Sequence, residues 1–144
     1  MGVGQSIEKV SRKLNFEDML WAIQNQPTLI ISTLSPDKQG CLIVGTTILA
    51  EETIIVNQYL QKDPEVRIVV YGENPSDDSI VSKYKQLTSL GFTNVYIYPG
   101  GMFEWLLLQD IYDSKMFLTI GMEVDILKFK GKRQLGVLMI ESGD

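Results

Sequence analysis

Unbroken apolar runs alternate with amphipathic stretches along most of this chain. Leu29, Ile30 and Ile31 sit between Thr28 and Ser32; Ile68, Val69 and Val70 sit between Arg67 and Tyr71; Val95-Tyr96-Ile97-Tyr98 forms a third run. Such runs suit strands buried on both faces, as in parallel sheets. The shorter Leu42-Ile43-Val44 predicts a further strand, reached through a turn at Ser35-Pro36-Asp37-Lys38-Gln39-Gly40. The stretches between read as helices. Asn15 is placed to N-cap one, with Glu17 and Asp18 in its first turn, Phe16, Leu20 and Ile23 on one face and Pro27 as its stop. Positions 50–60 form a second helix, broken by Asp63-Pro64. Ile80, Tyr84 and Leu87 mark the buried face of a third, which Gly91 ends. After the Pro99-Gly100-Gly101 turn, positions 102–108 predict a short helix around Trp105. Alternating strands and helices indicate βαβ units and a mainly parallel sheet.

The two ends stand apart from this pattern, dividing the chain into a leader at 1–14, a domain at 15–127 and a tail at 128–144. In the leader, Gly2 with Ser6 fits an N-myristoylation signal. Val3, Ile7, Val10 and Leu14 fall at helical spacing, and Lys9, Arg12 and Lys13 add positive charge. One acyl chain holds a membrane only marginally, and basic residues supply the second signal, each adding about 1 kcal/mol near an anionic surface. The leader therefore reads either as a peripheral anchor on the cytoplasmic face of a membrane or as a segment packed on the domain. In the tail, positions 125–129 suggest a last helical turn, and Lys128, Lys130, Lys132 and Arg133 cluster ahead of apolar Leu135 to Ile140. That cluster reads as a solvated turn before an edge strand or docked tail; the alternative is a second membrane-facing patch or a partner-binding segment.

Composition narrows the function. A length of 144 residues suits one domain with a substantial core. A net charge of −5 gives no basic field for nucleic acid. No His and a single Cys exclude a His- or Cys-rich zinc site and an internal disulfide. No metal or cofactor is expected, although a carboxylate-only Mg or Ca site built from Glu73, Asp77 and Asp78 stays open as a cation-sensor reading. No apolar run is long enough to span a bilayer.

The candidate site follows Tyr71. In parallel α/β sheets ligands bind beyond the carboxyl ends of strands, where the next helix begins. There the chain reads Gly72, Glu73, Asn74, Pro75, Ser76, Asp77, Asp78, Ser79, a loop without Cys, His, Lys or Arg. It should curl around the N-terminus of the following helix, with Asp77 or Asp78 placed to plug that helix's amides. Asn74, Pro75 and Ser76 are candidate contacts for a protein partner.

From Leu90 the chain reads LGFTNVYIYPGGMFEW, ending at Trp105. This resembles the closing element of rhodanese-like domains, GF-x-NV followed by GG-x-x-x-W. Val69-Val70-Tyr71-Gly72 is similar to that family's I-V-x-Y-C strand ending, and the segment from Ile30 to Pro36 looks like its L-I-D-V-R-S-P motif. The resemblance covers Phe16 to Ile111. It implies a three-layer α/β domain whose central, mainly parallel five-stranded sheet is flanked by helices. In catalytic members a Cys opens the loop, and its thiolate is assisted by loop amides, the helix N-terminus and usually an Arg. Here Gly72 stands at the Cys position, Asp77, Asp78 and Ser79 occur where the Arg is expected, and Ser32 and Leu34 replace the early Asp and Arg. Glu73, Asp77 and Asp78 would repel thiosulfate or phosphate. Cys41 lies away from the loop and reads as an inert buried side chain. The expectation is a non-catalytic interaction or scaffold module with an unidentified protein partner; the alternative is a sulfurtransferase or phosphatase-like enzyme with an unconventional loop.

Overall fold

A computed structural model describes residues 12–136. The helices are α1 (Phe16–Gln24), α2 (Glu52–Lys62), α3 (Ser79–Leu90) and α4 (Gly101–Ile111). The strands are β1 (Thr28–Ser32), β2 (Leu42–Ile43), β3 (Arg67–Tyr71), β4 (Val95–Tyr98) and β5 (Thr119–Ile120), with short 3-10 turns at Pro36–Lys38, Leu49–Glu51 and Ile126–Phe129.

Strands β1, β3 and β4 form a parallel sheet in the order β1-β3-β4, with Ile30 opposite Val69 and Val70 opposite Ile97. Alternate strand residues feed two cores. Ile30, Val69, Tyr71 and Tyr98 face α1 and α4, meeting Met19, Met102 and Trp105. Leu29, Ile31, Ile68 and Val70 face the other way, meeting Val56 of α2 and Ile80, Tyr84 and Leu87 of α3. The three layers follow from this: each fully buried aliphatic side chain contributes on the order of 1.5–3 kcal/mol, and both sheet faces need a cover.

The sheet has three strands among the described residues, not the expected five. Its outer positions are reduced to single bridges, Lys13 to Ile97 beyond β4 and Ile30 to Thr46 beyond β1. The reason is local. Gly45 turns the chain with φ +88° directly before Thr46, and the Leu49–Glu51 turn begins three residues later, leaving no room for a strand. Leu42–Ile43 instead pairs antiparallel with Thr119–Ile120 in a separate two-stranded ribbon. No hydrophobic periodicity announces β5, because one of its two residues is half-buried and the other exposed.

Local signals otherwise match the elements. Asn15 Oδ1 accepts from the Asp18 amide at 2.9 Å, and an Asp18 carboxylate oxygen accepts from the Asn15 amide at 3.1 Å, a reciprocal capping box. Gly91 ends α3 with φ +123°. Trp105 is fully buried and its indole N–H donates to the Leu118 carbonyl at 3.0 Å. Packing continues beyond the sequence-based borders of the domain. Leu14 lies against the first core, the Leu14 amide donates to the Ile97 carbonyl at 2.8 Å, and Phe129 is buried.

Candidate functional site

The loop after β3 does curl onto α3, and one carboxylate fills it. Asp77 Oδ2 accepts from the Glu73 amide at 2.9 Å, while Oδ1 accepts from the Ser79 amide at 3.0 Å and the Ser79 hydroxyl at 2.6 Å. These are a loop amide and the first amide of the helix, the donors that would face a bound anion at this position. Asp78 is at the cap position but makes no capping bond with its side chain; Asp77 closes the site.

Gly72 is the space that Asp77 uses. A Cβ at Gly72 would lie 2.7 Å from Thr33 Oγ1, 2.9 Å from Ile80 Cγ1 and closer still to Asp77 Oδ2. The carboxylate and a side chain at Gly72 therefore compete for the same volume.

The rest of the loop is clamped from three sides. The Gly72 and Glu73 carbonyls accept from the Met102 and Phe103 amides of α4 at 3.0 and 2.9 Å. Gly101 permits this approach: it has φ +65°, and a Cβ there would run into the Gly72 and Glu73 carbonyls. Lys38 pairs with Glu73 at 3.0 Å. Asn74 is buried; its Oδ1 accepts from the Ser76 amide at 2.9 Å and its amide nitrogen donates to the Phe129 carbonyl at 2.9 Å. Pro75, Ser76 and Asp78 are left exposed.

That Asn74 bond ties the chain following Phe129 to the loop. Lys128, Lys130 and Lys132, read from the sequence as a tail, join Lys38 around a cleft of about 630 Å³ that includes Glu73 and Asp78. Neither this clustering nor the Lys38–Glu73 pair has a local sequence signal, since the partners are far apart in the chain. Glu73, Asp77 and Asp78, the acids of the cation-sensor reading, all border this cleft, but among the described residues no group of three or more His, Cys, Asp or Glu could hold a metal ion.

The remaining reactive groups are buried. Cys41, the residue before β2, is buried, and burial pushes its thiol up, away from the thiolate form. The Tyr71 hydroxyl meets the Ile43 amide at 3.1 Å and Thr46 Oγ1 at 2.8 Å, and burial raises its pKa to about 12. Tyr98 is raised further by burial and by Glu104, whose carboxylate its hydroxyl contacts at 2.5 Å. Both tyrosines serve packing.

Of the basic leader, Gly2 and Lys9 lie outside the described residues. Arg12 is engaged with the fold: its guanidinium lies 4.3 Å from the Tyr96 ring centre and bonds the Thr93 carbonyl at 3.0 Å and Asn94 Oδ1 at 3.3 Å. Lys13 is exposed. Among the described residues no helix is long and apolar enough to cross a membrane.

Three solved structures share the fold at low identity. The BH2092 protein from Bacillus halodurans aligns with a TM-score of 0.60 at 15% identity, covering 99% of this chain and 97% of its own. A full-length protein from Lactobacillus plantarum gives 0.57 at 18%, covering 75% and 92%. The Alr3790 protein from Anabaena sp. gives 0.53 at 18%, covering 80% and 97%. No curated protein matches. The sequence model of the rhodanese-like domain matches residues 22–108, from within α1 through most of α4 and across the 72–79 loop, so this chain belongs to the rhodanese-like domain family.

Proposed function

We propose that this chain is a non-catalytic rhodanese-like module that works by binding a protein partner. The observation that carries this reading is the Asp77 carboxylate seated on the Glu73 and Ser79 amides beside Gly72. With Gly72 at the position of the family's Cys, and with the Glu73 and Ser79 amides already satisfied by an internal anion, the loop lacks the thiolate that would receive sulfur or phosphate and two of the donors that would hold the substrate. The clamped loop remains a rigid platform, with Pro75, Ser76 and Asp78 outward. Tethering to the cytoplasmic face of a membrane through Gly2, aided by Lys9 and Lys13, belongs to the same proposal, with Arg12 committed to Tyr96.

Sulfur transfer from thiosulfate to cyanide and hydrolysis of an aryl phosphate test the first part. The expected result is no turnover above buffer. Turnover abolished by Cys41→Ser would overturn it. Intact mass after expression in a eukaryotic host, with fractionation of wild type and Gly2→Ala, tests the tether. A myristoyl mass with membrane association lost in Gly2→Ala is expected, and an unmodified, unbound protein removes the anchor.

A further inference from the structure

A second surface lies away from the loop. Fourteen large apolar side chains are exposed among the described residues, and eight of them fall between Ile111 and Leu127. That concentration marks a patch rather than the usual scatter. Met122 and Val124 are 82% and 85% exposed, and Tyr112 is 68% exposed. These three line a groove of about 490 Å³ between the C-terminal end of α4 and residues 122–126.

The charged side chains that line this groove are all acidic. Asp110, Asp113 and Glu123 line it, and no Lys or Arg does. Glu123 is paired to Lys128 at 3.0 Å and Asp113 accepts from the Lys115 amide at 2.8 Å, while Asp110 has no partner among the described residues. The groove also sits against the last turn of the eleven-residue α4, where unpaired carbonyls carry partial negative charge. Exposed apolar side chains beside unpaired carboxylates define the complement.

We propose that this groove docks a basic amphipathic helix of a protein partner. The partner's apolar residues, spaced every three or four positions, lie on Met122, Val124 and Tyr112, and its Lys or Arg side chains face Asp110 and Asp113. The site shares no residue with the sealed loop, so the two readings stand or fall separately.

Fluorescence anisotropy on the full chain tests it, using a labelled Leu/Lys peptide of about eighteen residues, five helical turns, and a Leu/Glu twin with the same apolar positions. The Leu/Lys peptide is expected to bind and the twin not. Met122→Ser with Val124→Ser, and separately Asp110→Lys, should each weaken binding about tenfold. Leu90→Ser, an exposed apolar truncation outside the groove, should leave it unchanged. These positions are exposed, and a thermal melt confirms that each variant folds. No binding, equal binding of both peptides, or binding unaffected by the groove variants would overturn the proposal. So would a concentration-dependent dimer of the wild type that Met122→Ser with Val124→Ser dissolves, since the groove would then serve a second copy.

Discussion

Replacing Gly72 by Cys restores the residue that opens the loop in catalytic rhodanese-like domains, and here it should destabilise the protein without giving activity. The new Cβ arrives 2.7 Å from Thr33 Oγ1 and 2.9 Å from Ile80 Cγ1, and closest to Asp77 Oδ2. Overpacking of this kind costs about 1–3 kcal/mol. Asp77→Ala alone leaves the Glu73 and Ser79 amides without their acceptor; a lost cap and an unsatisfied, partly buried N–H cost about 2–3 kcal/mol together. In Gly72→Cys with Asp77→Ala, the side chain enters the space the carboxylate left. The losses should therefore fall short of additive by at least about 1 kcal/mol. Urea unfolding of wild type, both single variants and the double variant measures this, with the denaturant slope unchanged across the set. Strictly additive losses would refute competition between Gly72 and Asp77 for one volume.

Asn74→Ala removes the bond to the Phe129 carbonyl, so stability should fall by about 1–3 kcal/mol, with faster limited proteolysis after Phe129; unchanged cleavage would argue against the tether. Tyr71 titrates near 12 in the fold, above its usual value near 10, because burial disfavours the phenolate. The unfolded chain loses this proton first, so the stability linked to it is complete below about pH 10 and is lost towards pH 12, on the order of 3 kcal/mol. Urea titrations across that window should show a smaller alkaline loss in Tyr71→Phe, and an identical loss would contradict the assignment. Cys41 should react with a thiol reagent only as fast as the protein opens, so labelling should accelerate sharply in urea; rapid labelling of the native protein would place the thiol at the surface.

Much of the fold is written in local signals. The three buried strands announce themselves as apolar runs because both faces are covered, and Asn15, Gly91 and Trp105 do what their chemistry suggests. The edges are not legible in the same way. Single-residue bridges at Lys13 and Thr46 and a two-residue β5 leave no periodicity to read. The position of the loop follows from the β3–α3 junction, and a carboxylate plug follows from two adjacent Asp residues. Which of them plugs the site depends on the backbone path, which puts Asp77 inward and Asp78 outward. Arg12 shows the limit of charge patterns: a cation in a basic stretch looks the same in sequence whether it faces solvent or lies on Tyr96. Lys38 and Glu73, or Asn74 and Phe129, meet only through the fold.

The central claim is that the Glu73 and Ser79 amides are occupied by Asp77 and closed to an external anion. A ¹H–¹⁵N titration with thiosulfate reads those two amides directly. The account predicts that neither resonance moves beyond the general effect of salt in the wild type, and that both move saturably in Asp77→Ala. Saturable movement of both in the wild type would mean that an outside anion reaches these amides, and the sealed-site account would be wrong.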